Sequence, residues 1–315
     1  MLVSNTSKLQ RRSDLYAGIK RGIPIYLLIL PALIQVIVFC YIPLTGLLTS
    51  FKNYDIFKGF WQSPWAGQYG MANIISIFQD HDLMASIGNT VLLSVLNLVV
   101  SFPTPIILAL LINELRVGFF KKTVQTISYM PQFLSWISVI GLVMVFFGEY
   151  GPINDLLNLI FGADRTRVLY LSEQKNFLPL LLGINLWKTL GWSSIVYIAT
   201  ISSIDPQLYE SAMIDGAGRW KQMLHITLPG LSLVTILLFI LNIGTILTSN
   251  FELVFGLQNA FINFETIDTV IYKNGLLQRS YSVATALGFV RGMLGIALTL
   301  GANFLSKKIN KVSIF

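Results

Sequence analysis

The sequence has few charged side chains, one cysteine and two histidines. Only 12% of the 315 residues are Asp, Glu, Lys or Arg, and 54% are apolar, whereas soluble domains carry about a quarter charged residues. The single cysteine, Cys40, excludes a disulfide within the chain. Both histidines, His81 and His225, fall in predicted polar loops, so we predict neither a metal site nor a catalytic residue.

The sequence also lacks a nucleotide-binding loop. No stretch reads Gly-x-x-x-x-Gly-Lys-Ser/Thr, the pattern whose backbone amides hold nucleotide phosphates. Gly216-Ala217-Gly218 lacks the third glycine of a dinucleotide-binding fingerprint, and it follows a predicted helix instead of a strand. We therefore expect this chain to bind no cofactor itself.

Six stretches are long and apolar enough to cross a bilayer, which takes about 20 residues. The predicted spans are residues 25–49, 87–112, 127–147, 178–201, 231–253 and 283–305. The first apolar run, residues 23–51, is far longer than the core of a signal peptide, about 7 to 15 residues, so this helix is predicted to be retained. The prediction is an all-α, polytopic membrane protein, with a basic tail over residues 1–22 and one six-helix domain over residues 23–315.

Positive charge is distributed unequally between the two sides of these spans. The two tails and the loops after spans two and four hold 13 Lys and Arg, and the three loops on the other side hold seven. Cytoplasmic loops of membrane proteins carry the excess of Lys and Arg. Both termini and the loop after the fourth span are therefore predicted to be cytoplasmic. The net charge of +7 is attributed to this orientation and not to a nucleic-acid partner.

The loop after the fourth span, residues 205–229, is polar and predicts a helix that ends at a glycine elbow. Asp205 followed by Pro206 is typical of a helix start, because the carboxylate accepts from free backbone amides and proline loses no intrahelical bond. Gly216 and Gly218 are expected to end this helix, since glycine adopts positive φ without steric cost.

A second short helix is predicted beyond the elbow. Apolar positions from Trp220 to Thr227 follow helical spacing, and Pro229 is expected to close the segment. Asp215 and Arg219 stand four residues apart, so they are predicted to pair across the elbow.

Three pieces of this loop carry a family resemblance: Glu210-Ser211-Ala212, Asp215-Gly216-Ala217 and Ile226-Thr227-Leu228-Pro229. They are similar to the Glu-Ala-Ala loop of the membrane subunits of binding-protein-dependent ABC importers, with Ser211 in place of the first alanine. The resemblance implies a cytoplasmic coupling helix that docks into a cleft on a separate ATPase, where Glu210 meets a basic residue. The residues expected to form this coupling site are Glu210, Ser211, Ala212, Asp215, Gly216, Arg219, Ile226, Leu228 and Pro229.

The resemblance covers nearly the whole chain, through pieces such as residues 124–131 and 187–192. These look like the oligosaccharide branch of the family, similar to the lipoprotein-linked polysaccharide permeases of Gram-positive bacteria. The resemblance implies a carbohydrate-import permease, without enzymatic activity, in the bacterial cytoplasmic membrane. Its implied partners are a second homologous permease, an ATPase dimer that uses ATP and Mg, a lipid-anchored solute-binding protein, the carbohydrate substrate and the lipid bilayer.

A secondary transporter or channel driven by an ion gradient is the alternative. Secondary carriers commonly contain inverted repeats, and no convincing internal repeat is visible in this sequence.

Two cations lie inside the predicted spans, Lys188 and Arg291, where a charge costs about 2.5 to 3.5 kcal/mol. Each is expected either to face a cavity or a partner acid, or to snorkel or pair structurally. Trp187 and Trp192 could present rings to a sugar, although core packing explains them as well. With the polar groups of the fifth span, the candidates for a substrate path are Trp187, Lys188, Trp192, Asn242, Thr245, Asn250 and Arg291.

Overall fold

The protein is mostly helical over residues 22–115, 118–162 and 166–310, which the computed structural model describes. Within these residues the only β pairing is a single antiparallel bridge between Lys52 and Trp65. The prediction of an all-α membrane protein is confirmed. Residues 1–21 of the predicted basic tail (1–22), together with Arg116, Arg165 and Lys311, entered the charge count but lie outside the described residues.

The helices follow one another with short connections. In chain order they are α1 (Gly22–Phe51), α2 (Gly59–Gln62), α3 (Ala72–Gln79), α4 (His81–Glu114), α5 (Phe119–Phe133), α6 (Trp136–Phe146), α7 (Pro152–Phe161), α8 (Gln174–Ser202), α9 (Pro206–Ile214), α10 (Arg219–Gly244), α11 (Phe251–Leu257), α12 (Ile267–Tyr272, with a further π turn Lys273–Leu277) and α13 (Tyr281–Asn310).

Four of these helices, α1, α4, α10 and α13, are long and apolar enough to cross a bilayer, and the bent pair of α5 and α6 is a possible fifth crossing. α8 is also long enough, with 29 residues, but it is less apolar and carries Lys188. The six predicted spans are compatible with this arrangement.

The third span, predicted over residues 127–147, is broken into two helices. The chain bends by 103° between α5 and α6. Leu134 and Ser135 are extended at the bend, and the Ser135 side chain accepts from the backbone N–H of Ser138 at 3.1 Å. A serine that caps a helix in this way stabilises a new helix N-terminus, so the span is two helices and not one continuous helix.

The fifth span also differs from the predicted range of residues 231–253. Its helix, α10, begins earlier, at Arg219, and ends at Gly244. Residues 245–250 are turns and non-helical chain, and Asn250 caps α11 by accepting from the backbone N–H of Leu253 at 3.2 Å. The polar residues at this end therefore lie on a break in the helix.

α8 occupies the middle of the packed helices. Its first half contributes to an apolar cluster with α4, α6 and α11, and its second half to another with α4 and α10. A third cluster joins α3, α4, α12 and α13. By contrast, residues 23–46 of α1 are exposed along their whole length.

Gly191 allows the backbone of α8 to pack directly against the backbone of α5. A Cβ atom on Gly191 would lie 2.0 Å from the carbonyl oxygen of Ser128. No side chain fits in that space, so the glycine fixes how closely these two helices pack.

Candidate functional site

The coupling segment, residues 205–229, begins as the sequence predicts. The Asp205 side chain accepts from the backbone N–H of Gln207 at 2.9 Å, and Pro206 is the first residue of α9. Carboxylate caps of this kind satisfy amides that have no intrahelical partner.

The elbow after α9 is formed by one glycine. Gly216 has a φ of +75°. The backbone N–H of Ala217 donates to the carbonyl of Ala212 at 2.8 Å, and that of Gly216 donates to Met213 at 3.1 Å. This bonding pattern is the Schellman closure of a helix. Gly218 does not end α9, contrary to the prediction, because it is extended and stands directly before α10.

α10 continues through the predicted stop at Pro229. Residues Met223–Thr227 form a π turn, and the backbone N–H of Leu228 reaches the carbonyl of Met223. The wider turn accommodates the following proline, which has no N–H to donate. Ile226, Leu228 and Pro229 therefore belong to the first half of a 26-residue helix.

One side-chain contact joins the two helices of the coupling segment, and another joins the segment to α4. The Tyr209 hydroxyl lies 3.0 Å from the Thr227 hydroxyl, which joins α9 to α10. Arg219 pairs with Glu114, at the end of α4, at 3.8 Å. The predicted pair between Arg219 and Asp215 is not formed, because four-residue spacing brings side chains together only within one helix, and the elbow separates these two residues.

The outward face of the segment combines charge with apolar surface. Glu210, Ser211, Asp215 and Gly216 are exposed, and Ala212 is partly buried. Ile214 and Trp220, on the two sides of the elbow, are 87% and 70% exposed.

A cavity of about 430 Å³ lies between α4, α8 and the end of α10, and we call it the central cavity. Four predicted path residues line it: Trp192, Asn242, Thr245 and Asn250. The other polar residues of its wall are Ser94, Asn97, Ser101, Asn185, Thr189, Ser193, Tyr197, Thr248 and Ser249. None of the described residues that line it is an acid, lysine, arginine or histidine, so its polar surface consists of amides and hydroxyls.

Sequence reasoning missed the amide pair in this wall. The side-chain N–H of Asn185, on α8, donates to the Asn97 amide oxygen, on α4, at 3.3 Å. The signal was present, since asparagine within a transmembrane span usually faces protein or a cavity.

Lys188 does not line the central cavity. Its side chain is buried, and Nζ donates to the carbonyl oxygens of Gln132 at 2.8 Å, Leu134 at 2.7 Å and Pro131 at 3.3 Å. These carbonyls belong to the end of α5 and the bend after it. Because an ammonium group has three donors, Lys188 is fully occupied in holding the bend. Its neighbour Trp187 lines a separate apolar groove of about 680 Å³, between α6 and α8.

Arg291 lies on α13 and pairs with the carboxylate of Asp268, at the start of α12. It lines a second cavity of about 370 Å³, which we call the side cavity. Its acid partner was not predicted, because Asp268 lies outside the six predicted spans. Among the described residues, no group of three or more His, Cys, Asp or Glu side chains is placed so that it could hold a metal ion.

Comparison with known proteins identifies the family. Residues 83–311 match the family described as the binding-protein-dependent transport system inner membrane component. The chain belongs to this family.

This permease has curated relatives over almost its full length. It is 37% identical to Protein LplB of Bacillus subtilis over 302 residues, which cover 95% of the permease and 93% of that relative. It is 39% identical to the polygalacturonan/rhamnogalacturonan transport system permease protein YteP of Bacillus subtilis over 310 residues, which cover 98% and 95%.

The permease also resembles a solved ABC transporter. Its TM-score is 0.85, at 37% identity, to a chain of a bacterial ABC transporter involved in the import of the acidic polysaccharide alginate, covering 94% of the permease and 99% of that chain. A second structure is that of a bacterial alginate ABC transporter in complex with an alginate pentasaccharide-bound periplasmic protein, and it gives a TM-score of 0.86 at 37% identity, covering 95% and 99%. The permease is therefore an integral inner-membrane subunit of an ABC importer, and as a transport subunit it is not an enzyme.

Proposed function

We propose that this permease carries an oligosaccharide into the cytoplasm, using ATP that a separate ATPase hydrolyses. The observation that carries the proposal is the course of α10, which runs without a break from Arg219, in the coupling segment, to Gly244, beside the central cavity. Its 26 residues extend about 39 Å at 1.5 Å per residue. One rigid element thus joins the surface expected to meet the ATPase to the cavity expected to hold the substrate.

The chemistry of the central cavity supports a carbohydrate substrate. Sugars present many hydroxyl groups, and the Asn97, Asn185 and Asn242 amides offer both donors and acceptors to them. Trp192 is half exposed within the same wall, and an aromatic ring suits the apolar face of a pyranose. Relatives named for polygalacturonan/rhamnogalacturonan and alginate transport support the same substrate class.

Movement of the coupling segment would reach the cavity through two connections. The hydrogen bond between Tyr209 and Thr227 ties α9 to α10, so a displacement of α9 is passed to the long helix. Gly216 allows α9 and α10 to meet at an angle, and Glu210 and Ser211 are exposed for contact with the ATPase. The transport cycle then alternates between two states, which the ATPase must bind differently for ATP to drive the change.

The complete importer contains further subunits in this proposal. They are a second, homologous permease, an ATPase dimer that uses ATP and Mg, and a lipid-anchored solute-binding protein outside the membrane. The alginate transporter in complex with a sugar-bound periplasmic protein supports the last of these. The excess of positive charge supports a cytoplasmic location of both termini and of the coupling segment.

Substitution of Gly216 tests the coupling site. A Cβ atom there meets nothing within 4 Å, but the φ of +75° strains any residue that disfavours this region. Gly216→Val should cost at least about 1 to 2 kcal/mol and deform the elbow, whereas Gly216→Asn should be tolerated, because asparagine visits this conformation. In reconstituted importer, we expect sugar-stimulated ATP hydrolysis to be lost in the valine variant and retained in the asparagine variant. Normal ATP-dependent uptake by Gly216→Val would contradict the assignment.

Measuring whether ATP or an ion gradient drives sugar uptake distinguishes this proposal from the alternative of a secondary transporter. The purified permease alone should not transport sugar, and the complete importer should consume ATP when loaded binding protein is added. Sugar uptake by the permease alone under an ion gradient would favour the secondary transporter.

A further inference from the structure

The chain between α10 and α11, residues 245–250, forms a thin wall between two cavities, and we call it the wall segment. Thr245 and Ser249 line the central cavity, Leu247 lines the side cavity, and Thr248 lines both. The backbone here forms turns and lacks a continuous helical ladder. Such a segment can move with less loss of internal hydrogen bonding than an intact helix.

A carboxylate from another helix holds the wall segment. One oxygen of Asp268 accepts from the backbone N–H of Ser249 at 2.9 Å and from its hydroxyl at 2.7 Å. The Thr266 hydroxyl also lies 3.1 Å from that of Ser249, and Ser94 donates to the carbonyl of Ile246. These three side chains hydrogen-bond the wall segment from other parts of the chain. Asp268 is the charged one, and hydrogen bonds to a charged group are about twice as strong as neutral ones.

Arg291 occupies the other oxygen of the same carboxylate. The side chains of Arg291 and Asp268 are 28% and 16% exposed, so both charges are largely removed from water. An isolated charge is costly in such a place, and a paired one is tolerated. Asp268 therefore joins the start of α12 to α13 on one side and to the wall segment on the other.

We propose that Asp268 is a positioning residue for transport, which holds the wall segment closed over the central cavity while Arg291 holds Asp268. The proposal rests on the orientation given under the proposed function. The wall segment follows the end of α10, which lies about 22 Å beyond Pro229, the last residue of the coupling segment, and is therefore in the outer half of the membrane. Opening the central cavity at the wall segment requires the contact between Ser249 and Asp268 to break.

Thiol labelling of the assembled importer tests this proposal. Cys40 is the single cysteine of this chain, so Cys40→Ser leaves the permease without a thiol and Thr245→Cys places one on the wall segment, and labelling is measured on this subunit. The rate of labelling by a membrane-impermeant maleimide is measured in right-side-out vesicles, without sugar or ATP. Adding Asp268→Asn should accelerate labelling about tenfold or more, which corresponds to about 1.4 kcal/mol, because a charged acceptor forms stronger hydrogen bonds than a neutral amide.

Two further variants make the result specific. Glu265→Gln removes a comparable ion pair with Lys273, in which the two side chains are 31% and 35% exposed and which does not contact the wall segment. We expect this control to label at the original rate. Ser249→Ala removes one hydroxyl and keeps the backbone N–H, so it should accelerate labelling less than Asp268→Asn. It also carries the test if Asp268→Asn does not assemble with its partner subunits.

The outcomes separate this proposal from the proposed function. Unchanged labelling in an assembled Asp268→Asn importer, or in Ser249→Ala where the former does not assemble, would overturn the role of Asp268. Equal acceleration by Glu265→Gln would overturn it as well, because the effect would then be general loosening. If the unsubstituted importer shows no ATP-dependent uptake but Asp268→Asn still accelerates labelling, the proposed function is contradicted and the contact of Asp268 with the wall segment is supported.

Discussion

Substitution of Gly191 should separate α8 from α5. In Gly191→Ala, the new Cβ would lie 2.0 Å from the carbonyl oxygen of Ser128, whereas real Cβ contacts essentially never fall below 3.0 Å. The helices must therefore move apart by about 1 Å, because a backbone carbonyl cannot rotate away as a side chain can. Overpacking of this kind costs about 1 to 3 kcal/mol.

The same displacement also disturbs Lys188, which lies about one turn from Gly191 on α8. Its bonds to the α5 carbonyls measure 2.7 to 3.3 Å, and a shift of about 1 Å takes them beyond hydrogen-bonding range. Each hydrogen bond to a charged group contributes about 1.5 to 3 kcal/mol. The combined destabilisation should therefore be at least about 3 kcal/mol, even when some of these bonds re-form.

Thermal unfolding of the purified importer measures this effect. We expect Gly191→Ala to lower Tm by several degrees, since about 1 kcal/mol corresponds to 2–4 °C in domains of 150–250 residues. Gly183→Ala is the matched control on the same helix, because a Cβ there meets nothing within 4 Å. Equal Tm values for the two alanine variants would refute the close approach of α8 and α5.

Three further substitutions, with Trp187→Ala as a control, distinguish structural roles from functional ones. Lys188→Met leaves the carbonyls at the bend without their charged donor, so it should destabilise the importer by at least about 3 kcal/mol, measured as a lower Tm. Arg219→Ala removes a pair with Glu114 in which the side chains are 75% and 41% exposed, so it should change stability by less than about 1 kcal/mol, and a large fall in Tm would contradict this. Trp192→Ala should raise the apparent KM for sugar uptake about two- to tenfold, in line with the 0.5–1.5 kcal/mol of an aromatic contact, whereas Trp187→Ala should leave it unchanged because Trp187 lines the apolar groove.

Local signals predicted the coupling segment well. Asp205 caps α9 and Gly216 adopts positive φ, and both features depend on a few neighbouring residues. The prediction failed where a distant residue decided the outcome. Arg219 pairs with Glu114, which lies 105 residues earlier in the chain, and spacing within the segment cannot reveal such a partner.

The broken spans show a second limit of the sequence. Hydropathy over residues 127–147 and 231–253 is that of continuous helices, but Ser135 and Asn250 each cap a new helix. These capping residues were visible signals, and the high hydropathy around them concealed the breaks. Within the candidate path, Trp192 and Asn242 were predicted beside the cavity, whereas the cavity position of Asn97 required the packing of α4 against α8.

The exposure of α1 has a consequence for how the protein is made. Residues 23–46 are exposed throughout, so the transfer of this helix from the translocon into lipid depends on its own high hydropathy and not on contacts formed later. Membrane insertion and assembly are thus separate steps in biogenesis. Variants that loosen α8 or the bend should still enter the membrane, and they should be lost afterwards, to quality-control proteolysis of unassembled chains.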